Sequence, residues 1–158
     1  YSVPLLGDNV FDGRKDHTLD AKGRVSVPER YRNILQSQDA REIFLTQSAV
    51  RDRLCITVWS PDEWKSFLER INAIAPSHPT RQYLDDIVLS TKEVCSFDTN
   101  GRILIPQHLR QFADLDGQAR FVGRGKNFEI WNPAKHEALL QSHRDNTAID
   151  ESLHLFGV

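Results

Sequence analysis

Leu19–Pro28 reads LDAKGRVSVP, and Phe97–Pro106 says nearly the same thing again as FDTNGRILIP. Extended outward, HTLDAKGRVSVPERYRNIL (His17 to Leu35) lies over CSFDTNGRILIPQHLRQFA (Cys95 to Ala113) at a constant shift of 78 residues. Asp20 falls on Asp98, Gly23 on Gly101, Arg24 on Arg102, Pro28 on Pro106 and Arg32 on Arg110. A second echo, Leu54 to Leu68 against Asn127 to Leu140, follows at a shift of 72. Two copies of one unit, differing in an internal loop, account for both offsets.

Turn chemistry gives the unit its shape. In D-A-K-G and D-T-N-G an Asp opens and a Gly closes a four-residue turn: the carboxylate accepts from turn amides and Gly tolerates positive φ. Each phrase therefore predicts a tight hairpin corner. Beyond it Val25 and Val27, or Ile103 and Ile105, alternate with Arg24, Ser26, Arg102 and Leu104 as in a strand. Pro28 and Pro106 end the strand and fit the first position of a helix, where the missing N–H costs nothing. Tyr31, Ile34 and Leu35 form the apolar face of that helix in one copy, and Leu109, Phe112 and Ala113 in the other.

Each unit continues with a strand pair, Glu42 to Thr46 with Leu54 to Trp59, and Ala119 to Val122 with Phe128 to Trp131. Ser60 and Asn132 then cap helices whose first residue is Pro. Ser60 and Glu63 have capping-box spacing, and Trp59 and Trp64 the spacing of a hydrophobic staple. The three tryptophans are read as structural anchors. A further helix is expected over Pro79 to Ser90, with Tyr83, Leu84, Ile87 and Val88 on one side.

A unit of so few elements buries a poor core alone, so the two copies are expected to pack together as an intrachain pseudo-dimer. The fold class is α+β: two tandem β-barrel units with flanking short helices. The expected limits are 11–75 for the first unit, 76–92 for a connecting helix, 93–140 for the second and 141–158 for a helical or flexible tail. Residues 1–10 read as a leader or extension, since the chain has no Met and starts at Tyr1. Cys55 and Cys95 lack CxxC spacing and read as reduced, packing thiols of a cytosolic protein. No apolar run has the length of a membrane span.

The chain is 158 residues with 27% charged residues and a formal net charge of −2, so any polyanion partner must be read from local patches. Arg14 to Arg32 is such a patch. Its six cations (Arg14, Lys15, Lys22, Arg24, Arg30, Arg32) face three anions (Asp16, Asp20, Glu29), a local +3 that leaves −5 for the rest. In the equivalent span of the second copy, Lys92, Arg102 and Arg110 face Glu93 and Asp98, and Asn100 replaces Lys22. A two-stranded ribbon ending in a basic turn suits the DNA major groove, with Arg on a guanine edge and Lys on phosphate. Arg24 has two readings, a base contact or a partner of Asp20 that locks the corner. Asp20, Gly23, Asp98 and Gly101 read as structural turn residues; Arg32 and Arg110 read as pairing or helix-surface residues.

HTLDAKGRVSVPERYR, FDTNGRILIPQHLR and VGRGKNFEIWNPAKHE, in this order, closely resemble the MraZ family of bacterial transcriptional regulators, over roughly Phe11 to Glu137. The resemblance implies tandem AbrB-like swapped-hairpin units in a compact barrel, with subunits closed into rings. It also implies a cytoplasmic, nucleoid-associated DNA-binding protein. Such a protein recognises tandem short G-rich repeats upstream of the division and cell wall gene cluster and usually represses it. The family's D-x-K-G-R motif falls on Asp20, Lys22, Gly23 and Arg24, and in the second copy on Asp98, Gly101 and Arg102. DNA contacts are thus expected at Lys22, Arg24, Arg14, Lys15 and Arg102. Asp12 follows Phe11 where the family carries a basic residue, and no lysine contact carries over to Asn100.

No enzyme is expected. His17, His78, His108, His136, His143 and His154 are scattered, with no HExxH and no cluster with Cys, so neither catalytic residues, nor a metal, nor a cofactor is predicted. His136 and His143 share a helix face and read as surface residues. The rival functional reading is a protein-interaction or assembly module built on the same barrel, with Asp85, Asp86, Asp145, Asp150 and Glu151 as a solvated or partner-facing acidic surface.

Overall fold

The structure, a computed structural model, describes residues 9–158; residues 1–8 of the expected leader lie outside the described residues. The first copy runs β1 (Arg14–Thr18), β2 (Arg24–Ser26), α1 (Glu29–Ser37), β3 (Glu42–Gln47), β4 (Ile56–Trp59) and α2 (Pro61–Asn72). Helix α3 (Pro79–Ile87) and a 3-10 turn (Leu89–Thr91) connect it to the second copy. That copy runs β5 (Glu93–Ser96), β6 (Arg102–Leu104), α4 (Gln107–Phe112), β7 (Gln118–Gly123), β8 (Phe128–Trp131) and α5 (Pro133–Asp145). Short helical turns follow, including α6 (Asp150–Leu153).

The expected strand pairs β3/β4 and β7/β8 are antiparallel hairpins, joined through β4 and β8. The corner strands behave otherwise. β1 pairs with β7 of the other copy, β5 with β3, and β2 with β6, giving a six-stranded sheet β1-β7-β8-β4-β3-β5 and a separate two-stranded ribbon. The two strands leaving each corner therefore form no ladder with one another, which corrects the simple hairpin reading and bears out the swapped-hairpin one. Asp20 N–H to Arg24 O (3.0 Å) and Asp98 N–H to Arg102 O (2.9 Å) bridge them at the corner, and His17 Nδ1 to Ser26 O and Cys95 Sγ to Leu104 O (3.4 Å) farther along. A three-residue strand makes too few ladder bonds to stand alone. Pairing it with its equivalent instead sets Val25 directly against Ile103 and closes one core between the copies. The copies thus exchange strands rather than merely pack.

That core holds Val25, Val27, Ile103 and Ile105 at 1% exposure or less, together with Tyr31, Leu35, Leu109, Phe121 and Phe128. Each such aliphatic side chain contributes roughly 1.5–3 kcal/mol. Phe11 joins it, its ring edge-on to Tyr31 at 5.3 Å. Phe112 is only partly buried, at the end of the six-residue α4.

A second cluster sets Trp59, Trp64, Phe67 and Ile71 against Val88, with Leu84 and Ile87 packed on it. The Trp59 and Trp64 rings meet edge-on at 5.4 Å, forming the expected staple. Ser60 Oγ accepts from Glu63 N–H (3.2 Å) and Asn132 Oδ1 from Lys135 N–H (3.1 Å), with Pro61 and Pro133 at the first helical positions. Glu63 turns its carboxylate to Arg70 instead of back to the cap. Pro28 and Pro106 sit one position earlier than expected, as N-caps of α1 and α4, because their extended ψ (137° and 147°) belongs to the strand exit. The connecting helix is shorter than Pro79 to Ser90. It leaves α-geometry after Ile87, where the Thr91 hydroxyl donates to Ile87 O (2.7 Å) and draws the chain into the 3-10 turn.

Candidate functional site

The two corners are built alike. Asp20 Oδ1 accepts from Lys22 N–H (3.0 Å) and Arg24 N–H (2.8 Å), while Oδ2 accepts from Arg24 Nε (2.8 Å). Asp98 repeats this with Asn100 N–H (2.8 Å), Arg102 N–H (2.9 Å) and Arg102 Nε (2.9 Å). Gly23 and Gly101 take φ of +91° and +74°, and each donates its N–H to the Asp carbonyl three residues back. The backbone N–H of Arg24 is the largest cause holding the Asp20 carboxyl below its ordinary 3.8, with the guanidinium adding to it; Asp98 is held down likewise by Arg102. With lowered folded values, both carboxylates contribute fully above the unfolded pKa, and the contribution is lost as pH falls through the folded one.

Each copy also clamps the other's corner. Arg110 Nε donates to Ile105 O (2.9 Å) and its guanidinium covers Gly23; Arg32 Nε donates to Val27 O (3.0 Å) and covers Gly101. Gly23 O in turn accepts from Ile105 N–H (2.9 Å) and Gly101 O from Val27 N–H (3.2 Å). Arg32 and Arg110 thus form no ion pair among the described residues; each binds a backbone carbonyl and covers the other copy's corner, which corrects the pairing reading. Their coincidence in the repeat was the signal, and only the strand exchange shows what they hold. Substituting Gly101→Ala places a Cβ 2.6 Å from Arg32 Nη1, whereas Gly117, at φ +75°, has open space around its Cβ. Both replacements strain the backbone by about 1–2 kcal/mol, and Gly101→Ala costs about 1 kcal/mol more because the Arg32 bond must yield. Paired thermal melts of the two variants read the difference.

The ribbon brings Arg24 and Arg102 together. Arg24 stands opposite Leu104 and Ser26 opposite Arg102, so these four share the outward face while Val25 and Ile103 face the core. Two residue steps separate the arginines along the ribbon, about 7 Å. Arg24 and Arg102 side chains remain 39% and 33% exposed, and the Asp contact engages Nε of each. The corner-locking reading of Arg24 is observed, and the carboxylate orients a guanidinium whose far edge makes no hydrogen bond among the described residues. Lys22 is exposed at one end of this face and Asn100 at the other.

The remaining cations of the patch are placed differently. Arg30 pairs with Asp12, which explains an acidic residue after Phe11. Arg14 and Lys15 lie on β1, exposed, at the end remote from the corner. Asp20 is six residues beyond Arg14, up to about 20 Å of strand. The structure does not bring these two to the ribbon. His136 is buried at 3% exposure, against its reading as a surface residue, because its ring packs on Trp131 at 5.2 Å under α5. The sequence also hid a buried pair, Arg53 Nη2 to Glu129 Oε1 at 2.6 Å.

Cys55 and Cys95 are free and buried; burial pushes the Cys95 thiol up to about 11 and Cys55 higher still. Among the described residues no helix is long and apolar enough to cross a membrane, and no three His, Cys, Asp or Glu side chains group to hold a metal.

Comparison with known proteins agrees with the doubled architecture. The MraZ protein family model matches twice, over residues 10–87 and 88–156. A relative from Shewanella amazonensis named "Transcriptional regulator MraZ" is 34% identical over 136 residues, covering 86% of this chain and 88% of its own. Its namesake from Syntrophobacter fumaroxidans is 31% identical over 141 residues, covering 89% and 91%. One from Shewanella pealeana is 30% identical over 135 residues, covering 85% and 88%.

Proposed function

Since this chain belongs to the MraZ family, we propose that it is a transcriptional regulator that acts by binding duplex DNA through the β2–β6 ribbon. The observation carrying this reading is the outward ribbon face, where Arg24 and Arg102 lie two residue steps apart on opposite strands, with Lys22 at the Arg24 end only. A two-stranded antiparallel ribbon fits the major groove, and an Arg held by a carboxylate enters it with little rotamer entropy left to lose. Lys22 supplies a phosphate contact beside it.

The targets are tandem short G-rich repeats in the promoter of the division and cell wall gene cluster, which the protein represses from the nucleoid in the cytoplasm. One ribbon with few cations binds weakly at physiological salt. A closed ring of subunits, each engaging one repeat, raises affinity through effective concentration and ties it to repeat spacing. No catalytic role is assigned.

The test is binding of the purified oligomer to a duplex with several G-rich repeats, against the same bases scrambled, across a salt series. Affinity is expected to exceed that for the scrambled duplex by at least about a thousandfold and to fall steeply with salt. It should drop when spacers of half a helical turn separate the repeats. Equal binding to both duplexes would leave the barrel as an assembly module.

A further inference from the structure

A cavity of about 290 Å³ lies between the start of β1, the end of β7 and α5. Arg14, Arg53, Arg124, His136 and His143 line it, with no carboxylate in its walls among the described residues. Three carboxylates nearby are already engaged, and a fourth, Asp52, lines the adjoining cavity. Glu129 accepts from Arg53 (2.6 Å) and Trp131 Nε1 (3.0 Å), with Arg124 at 3.8 Å, and Asp16 and Glu137 both hold Arg120, at 2.7 and 2.6 Å.

His136 adds a donor of fixed direction. Its Nδ1 lies 3.2 Å from Arg120 Nη1. A guanidinium has no acceptor, so Nδ1 accepts and the ring proton sits on Nε2. Burial, then the charges of Arg120, Arg14 and Arg53, lower the pKa of this imidazole and keep it neutral. Its Nε2–H makes no hydrogen bond among the described residues and is not one of their buried unsatisfied atoms. The residue lines the cavity, so this donor opens onto it, and a donor beside three guanidinium groups is matched by an anion.

A second cavity of about 650 Å³ adjoins the first and shares Arg53, Leu139 and His143 with it. Its other walls include Val50, Leu54 and Trp131, and Val50 and Leu54 are 55% and 44% exposed. One half of the cleft is therefore cationic, and the other sets Val50, Leu54 and Trp131 beside Asp52, Lys135 and Ser142.

The geometry points to a binding site for a small phosphomonoester, its phosphate against Arg14, Arg53, Arg124 and His136 and its apolar body against Leu54 and Trp131. A DNA phosphate has the same head-group chemistry, but the duplex presents it on a convex backbone, whereas these donors line a concavity. The site stands at the far end of β1 from the corner and does not rest on the ribbon's role in DNA binding.

Calorimetric titration of the intact protein, free of DNA, with inorganic phosphate and with phenyl phosphate tests it. Both probes are expected to bind saturably, phenyl phosphate about tenfold tighter through its buried ring. Arg124→Gln removes a side chain that is 51% exposed, and His136→Phe keeps a ring against Trp131, so both variants should melt cooperatively. Each should weaken either probe by about tenfold or more, while Lys22→Asn leaves both unchanged. The site is overturned if neither probe saturates by about 10 mM, or if both folded variants bind like the parent. A phenyl phosphate affinity no better than that of inorganic phosphate removes the apolar half. Variants that weaken duplex binding, in a protein that binds neither free probe, assign the phosphate to DNA and overturn the small ligand.

Discussion

Arg53→Leu is expected to lower the free energy of unfolding by about 3–5 kcal/mol, the usual cost of leaving a buried charge without its partner. The Arg53 and Glu129 side chains are 11% and 7% exposed, and the guanidinium also lies over the Trp131 ring at 5.2 Å. Burial alone would raise the Glu129 pKa. The hydrogen bonds from Arg53 and Trp131, with the charges of Arg53 and Arg124, outweigh it and hold the carboxyl below its ordinary 4.5. The pair's contribution is therefore present above the unfolded pKa and disappears as pH falls through the lowered one. Removing both charges, as Arg53→Leu with Glu129→Leu, should recover most of the loss, since an apolar pair carries no desolvation penalty. Chemical denaturation at one fixed protein concentration reads both variants, because any self-association adds a concentration-dependent term. A single variant as stable as the parent would mean that water reaches Glu129 freely.

Such a pair explains how the two copies are fastened. Arg53 belongs to the loop between β3 and β4, Glu129 to β8 of the other copy, and Thr57 stands directly opposite Glu129 across the joining strands. Strand exchange, the corner clamps of Arg32 and Arg110, and this ion pair all cross between copies. Neither half closes a core alone.

The parts legible in the sequence were those with local chemistry. Asp20 and Gly23 dictate a corner within four residues, Ser60 and Asn132 dictate helix starts, and Trp59 with Trp64 dictates how one helix seats. Strand partnership was legible only through the swapped-hairpin units that the family resemblance implies, not from local chemistry. The 78-residue shift says which elements are equivalent, while the V-x-V and I-x-I alternation of β2 and β6 is satisfied by a partner from either copy. Glu129 was hidden for a related reason. Nothing local in FEIW marks its Glu for burial, yet all four residues of β8 are buried, Glu129 against Arg53 and Trp131 against His136 of α5. Charge counting found the basic island but not its use. Arg30 answers Asp12, Arg32 covers Gly101, and the surplus left for a partner narrows to Lys22 and Arg24 at the ribbon and Arg14 and Lys15 elsewhere.

That narrowing sets the functional prediction. Lys22→Asn with Arg24→Gln gives the first corner the tip of the second and removes its guanidinium. Losing one phosphate contact and one bidentate base contact costs about 2–4 kcal/mol, or roughly 30- to 1,000-fold in affinity for the repeat duplex per engaged ribbon. The salt dependence should flatten by about one ion. Fold stability should hardly change, because the Asp20–Arg24 pair is exposed and such pairs are worth about 0–1 kcal/mol. The reciprocal change, Asn100→Lys, separates two accounts of the repeat. If both corners approach DNA, the added lysine tightens binding by several-fold and steepens the salt dependence. If only the first corner reaches the groove, Asn100→Lys changes nothing and Arg102→Gln costs far less than Arg24→Gln. The second outcome is expected. The corners leave opposite ends of the ribbon, so a groove that takes Lys22 deeply carries Asn100 away from the phosphates. Fluorescence anisotropy on a labelled repeat duplex, with circular dichroism to confirm folding, distinguishes the cases. Equal losses for Arg24→Gln and Arg102→Gln would show that the ribbon lies along the groove with both arginines on bases.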